Sequence, residues 1–137
     1  MASETTLVFE LEPPIPFTCA DGTGIEKGAI LKLTDPMTCE LADGDGDVIA
    51  GIAAEEKIAS DGKVKIAVYR RGIFRGLAGT AITGIGAPID THASTGATNE
   101  LAICAAGHDN QLGHSLETVA DTDWFLFELM PIQRDEA

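Results

Sequence analysis

Positive charge is scarce in this chain: nine Lys and Arg stand against 22 Asp and Glu, a formal charge of −13 at pH 7. An excess of that size repels a phosphate backbone within a Debye length, so direct DNA or RNA binding is not expected, and anionic membrane surfaces are disfavoured for the same reason. Aromatics are few as well. One Trp, one Tyr and five Phe leave little for stacking on bases. Gly, Pro or charge interrupts every apolar run before it reaches bilayer-spanning length. Cys19, Cys39 and Cys104 are an odd and widely spaced set, which cannot complete a disulfide framework and reads as small buried hydrophobes in a reducing compartment. The N-terminus lacks a basic region followed by an apolar stretch and a small-residue cleavage site, so a soluble protein made in the cytoplasm is expected.

What the sequence does have is punctuation. Fifteen Gly and six Pro separate short β-forming runs, and no long stretch keeps a 3.6-residue period. The expected fold is therefore all-β, a small β-barrel or sandwich with an extended N-terminal arm: residues 1–20 form the arm and residues 21–137 a single β-barrel-like domain. A chain of this length buries roughly two-thirds of its unfolded surface, enough for one aliphatic core. Strands are expected over Thr6–Leu11, Ala29–Leu33, Val48–Ala54, Lys63–Tyr69, Gly72–Leu77, Ala87–Asp90, Glu100–Cys104, Gly113–Val119 and Trp124–Met130. Turn chemistry separates them at Asp21–Gly22, Lys27–Gly28, Asp35–Pro36, Asp43–Gly46, Asp61–Gly62 and Gly107–Asn110, with Asp61–Gly62 as the best hairpin candidate.

Two runs say which way they face. Val64, Ile66 and Val68 share one side of their strand, while Lys63, Lys65, Ala67 and Tyr69 share the other, as in a half-buried strand. In Trp124–Met130 one side carries Phe125, Phe127 and Leu129 and the other Trp124, Leu126, Glu128 and Met130, so both are largely apolar. Such a strand requires cover on both sides, from its own barrel or from a neighbouring subunit. Near the N-terminus, apolar Leu7–Glu12 runs into Pro13, Pro14 and Pro16, which remove amide donors and restrain φ. The segment is either an arm able to add a strand to another chain's sheet edge, or the first barrel strand.

Chemistry-bearing motifs are incomplete. Asp43, Asp45 and Asp47 alternate like the start of a Ca²⁺ loop, but the sixth and twelfth positions are Val48 and Ala54 instead of Gly and Glu, so a solvated acidic turn is the better reading. His92, His108, His114 and Cys104 match no zinc spacing. No nucleophile elbow or phosphate-cradling glycine pattern occurs; Gly84 and Gly86 are followed at position 89 by Ile89, where G-x-G-x-x-G needs Gly. Lys63 after Asp61–Gly62 only weakly offers the hairpin-tip lysine that a covalent cofactor would need. No catalytic, cofactor-binding or metal site is therefore assigned, and an enzyme is not expected. Arg70, Arg71 and Arg75 form a basic cluster in an acidic chain, suited to docking on an acidic protein surface or on another copy of the same chain.

Taken in order, Lys27–Leu33, Asp47–Ala54, Lys63–Phe74, Ile82–Ile89, Leu112–Asp121 and the closing strand into Leu129–Ile132 resemble the capsid cement (head decoration) proteins of tailed double-stranded DNA viruses. The resemblance covers roughly Ile25 to Ile132 and rests on a pattern of small and aliphatic residues. It implies a small β-rich subunit on the outer capsid surface of the virion, made in the host cytoplasm, a homo-oligomer and commonly a trimer. Such a subunit binds the major capsid protein and stabilises the shell without contacting nucleic acid or membrane. On that reading Leu7, Phe9, Leu11, Ile15 and Phe17 are the expected capsid or subunit contacts and Arg70, Arg71 and Arg75 their polar anchors. The alternative is a small ligand- or metal-binding β module with no viral role, using the Asp43–Asp47 turn.

Overall fold

Short apolar runs broken by Gly, Pro and Asx turns satisfy their backbone groups by pairing with one another. A computed structural model shows how, describing residues 4–42, 48–92, 99–103 and 110–133. Among these residues run eleven strands and no helix: β1 (Thr6–Glu10), β2 (Ile15–Thr18), β3 (Ile30–Asp35), β4 (Thr38–Leu41), β5 (Ile49–Ala53), β6 (Lys65–Tyr69), β7 (Gly72–Leu77), β8 (Pro88–Thr91), β9 (Leu101–Ile103), β10 (Asn110–Ser115) and β11 (Trp124–Gln133). The chain is all-β, as its sequence indicated.

Two bodies share these strands. β2-β4-β3-β5-β6 close into a barrel, and β1-β7-β11-β10-β8-β9 form a six-stranded sheet. Strand pairs are antiparallel, except that β2 runs parallel to β4 where they meet at Thr18 and Thr38, the seam that closes the barrel. Closure leaves the barrel no edge. The sheet keeps two, β1 and β9.

The N-terminal segment expected as an arm is thus paired into the body of its own chain. β1 lies along β7, with Thr6 opposite Arg75 and Phe9 opposite Ile73. β2 pairs with β6, Ile15 opposite Val68 and Phe17 opposite Ile66. Pro13 and Pro14 stand where the chain passes from sheet to barrel, a crossing that needs no amide donors. β1 also belongs to the sheet, not to the barrel.

Apolar side chains fall into two clusters. Phe17, Cys19, Ile25, Leu31, Cys39, Ala50, Ala53, Ile66 and Val68 fill the barrel. Ile30, Ile49 and Ile52 face outward from it and pack on Phe74, Leu101, Leu112, Phe125, Phe127 and Leu129 of the sheet. Phe74 stacks on Phe127 at 6.1 Å between ring centroids, and Tyr69 meets Phe74 edge-on at 5.7 Å. β5 is therefore buried at every position, the condition under which a strand reads as one unbroken apolar run. Its alternation is reset at Gly51, where the register with β3 shifts and φ is +149°.

Hydrogen bonds fasten the two bodies together. Asn99, held at φ +59° just before β9, accepts from the Ile30 amide (2.9 Å) and donates to the Gly28 carbonyl (3.1 Å). Thr5 donates to the same carbonyl from its hydroxyl (2.6 Å) and its amide (3.1 Å). Asp61–Gly62, expected to be a tight hairpin turn, instead lies within the longer connection between β5 and β6. There the buried Lys57 amino group donates to the Asp61 carboxylate (2.7 Å), the Asp21 carboxylate (3.0 Å) and the Ile58 carbonyl (2.8 Å).

Candidate interaction surface

β1–β7 pairing brings together residues far apart in sequence. Thr6 sits across from Arg75, Phe9 across from Ile73, and Glu12 lies 3.8 Å from Arg71. The two groups singled out from the sequence, the apolar N-terminal residues and the arginines, thus meet at one edge of the sheet. Phe9 is 63% exposed, and Val8, Leu11 and Ile15 are exposed nearby. Leu7 is half-buried and packs against the core shared by sheet and barrel. Phe17 does not belong to this surface. It is 2% exposed inside the barrel, because β2 is a barrel strand and its alternation turns Phe17 inward while Ile15 and Pro16 remain exposed.

The arginines differ in what holds them. Arg70 donates to the Ala50 carbonyl (3.0 Å), which ties it to the barrel. Arg71 stands loosely between Glu12 (3.8 Å) and Glu128 (3.7 Å). Arg75 is exposed on β7 and has no acidic partner among the described residues.

The outer face of the six-stranded sheet extends this surface. Phe74, Phe125, Phe127 and Leu129 face the barrel, so alternation turns Ile73, Arg75 and Leu77 of β7 and Trp124, Leu126, Glu128 and Met130 of β11 the other way. Register places Leu77 beside Trp124, Arg75 beside Leu126 and Ile73 beside Glu128. Leu116, just beyond β10, adjoins Leu126 through its amide. Trp124 and Leu116 are each 43% exposed, and none of these outward residues belongs to either core cluster. The apolar outer side of β11 read from the sequence is real, and no described residue packs over it as core.

Other chemistry is sparse. Asp43, Asp45, Asp47, Cys104 and His108 lie outside the described residues, and among the described ones no three His, Cys, Asp or Glu side chains converge. His114 Nε2 accepts from the Gln111 side-chain amide (3.2 Å). An open groove of about 450 Å³ beside β1 is lined by Glu4, Thr5, Thr6, Leu7, Lys27 and Tyr69, a set with no paired base and nucleophile. Cys19 and Cys39 are buried free thiols in the barrel. Burial, reinforced by Cys19, pushes the Cys39 thiol up to about 11, far from the range of a reactive thiolate. Burial pulls the Lys57 ammonium down, but hydrogen bonds and charge from Asp61 and Asp21 more than offset this and hold it above its ordinary value. The same contact with Lys57 lowers Asp61. Sequence reasoning missed this buried cation because Ala54–Ile58 looks like any charged surface loop.

A closed barrel thus packs on one side of a six-stranded sheet, and apolar residues gather on the sheet's other side. The crystal structure of the head fiber gp8.5 N base of bacteriophage phi29 has a similar fold, with a TM-score of 0.56 at 11% identity over 90% of this chain and 99% of that one. No family model and no curated protein matches this chain in sequence.

Proposed function

We propose that this chain is a virion structural protein that attaches to the outside of an assembled phage head and stabilises the shell, as a decoration or cement subunit bound to the major capsid protein. The observation that carries the reading is the fold likeness to a phage head fiber base across nearly the full length of both chains. It agrees with the order of small and aliphatic segments that resembles the cement proteins. The function is adhesion, with binding energy spread over a homo-oligomer, a trimer on the family pattern, so avidity rises with the number of copies engaged. Contacts to shell and to sister subunits are drawn from the exposed set Phe9, Leu11, Ile15, Arg71 and Arg75, with Leu7 and Arg70 behind them.

Cosedimentation tests this directly. Purified chain mixed with phage heads that lack it should pellet with the particles and raise the temperature at which they release DNA. Chain that stays in the supernatant at micromolar concentration, with particle stability unchanged, overturns the proposal.

A further inference from the structure

We propose that the outer face of the six-stranded sheet is where one copy of this chain docks on the next, its centre receiving the Phe9–Glu12 strip of the neighbour. The inference rests on the reading above that the protein works as a homo-oligomer, and names the surface that would hold it together.

The face is apolar where a solvent-facing sheet would be polar. Ile73, Leu77, Leu116, Trp124 and Leu126 form a continuous patch around Arg75. In a monomer that apolar area would stay in water instead of being buried. Trp and Arg at the centre of an apolar patch are the residue types that most often dominate binding at protein interfaces.

Charge selects the occupant. Arg75 is an exposed cation with no acidic partner among the described residues, in a chain with a formal charge of −13. A partner must bring apolar surface and carboxylate together. The chain's own strip does so: Phe9 and Leu11 are exposed, Glu10 is exposed with no cationic partner among the described residues, and Glu12 touches Arg71 only at 3.8 Å. The strip lies at the sheet's rim, on β1 and just beyond it, where β1 pairs only with β7 among the described strands, while Arg75 and Trp124 lie further in. Strip to centre is thus a head-to-tail contact, which closes into a ring when the rotation permits. It leaves Ile15, on the barrel, for the shell.

Charge reversal tests the pairing. The full chain in low-salt buffer should sediment as an oligomer, and Arg75→Glu should weaken association at least tenfold, as should Glu10→Arg with Glu12→Arg. Mixing the two reversed chains should restore association between unlike chains, whose contacts again pair opposite charges, whereas neither chain associates alone. Trp124→Lys, a second exposed position, should dissociate it without lowering the melting temperature. A wild-type chain that stays monomeric at 100 µM or above overturns the inference, as does an oligomer indifferent to Arg75→Glu and Trp124→Lys. Cosedimentation with heads reads the other proposal separately: reversed chains that are monomeric yet still pellet leave self-docking intact, and wild-type oligomers that fail to pellet remove only shell binding.

Discussion

Asn99 shows how much one polar side chain can decide. Its amide group bonds the Ile30 N–H and the Gly28 carbonyl across 69 and 71 residues of sequence, both in buried surroundings where a lost partner is not replaced by water. Asn99→Ala leaves the Ile30 amide without its acceptor and should lower stability by about 1–3 kcal/mol, seen as a lower urea midpoint. Cys39 supplies a pH signature. Its thiol is raised from 9.0 to about 11, so between those values the unfolded chain releases a proton that the folded chain keeps. The contribution is intact below about pH 9 and is lost as pH rises toward 11, at no more than about 1.4 kcal/mol per unit. Urea midpoints at about pH 8 and pH 10.5 should therefore diverge in the wild type more than in Cys39→Ala. None of this was visible in sequence, where Asn99 ends a polar stretch and Cys39 is a lone thiol.

Strand character was legible wherever an apolar run was long enough. Gly72–Leu77 occupies its expected bounds, and Trp124 begins the last strand as anticipated. β2 and β4 were not foreseen: β2 contains Pro16 and β4 is four residues long, so neither offers a clean alternation. β2 is held by β6, distant in sequence, which no local window sees, whereas β4 is the short return strand of a hairpin with β3. The continuous apolar run of β5 did show, but the reason for Gly51 did not. There a Cβ would run into the Tyr69 carbonyl oxygen of β6, and φ is +149°. Gly51→Ala should cost about 1–3 kcal/mol in backbone strain alone, with further loss from the steric conflict, read as a melting temperature well below wild type. Phe127, at the centre of the aromatic contacts, should cost about 3–5 kcal/mol when cut to Ala.

At the scale of the whole molecule, the barrel's closure and its packing on one side of the sheet explain why the surface has two characters. The barrel interior and the barrel–sheet interface absorb most of the large side chains, and the outer face of the sheet keeps an apolar patch on an acidic body. Because β2 is a barrel strand, removing residues 1–17 would open the barrel and confound a binding test. A point change avoids that: Ile15→Asp should weaken cosedimentation with heads by tenfold or more, about 1.4 kcal/mol, with an unchanged melting curve. The candidate site was half legible. Its residue types, exposed apolar N-terminal positions and an arginine cluster, stood out against the composition, whereas their meeting on one edge came from β1–β7 pairing. Phe17 was misplaced because whether Pro14 leads out of the domain or back into it is set by pairing partners.

Composition and alternation by themselves determined that this chain is all-β and acidic, and that β11 has two apolar sides, since these follow from residue type and a two-residue period. Only the tertiary structure decided which side of β11 the barrel covers, that the N-terminal strands are paired into sheet and barrel, and that Arg75 stands among outward-facing apolar residues with no ion-pair partner among the described residues. Those outcomes depend on contacts between residues tens of positions apart, formed when barrel and sheet compete for the same buried surface.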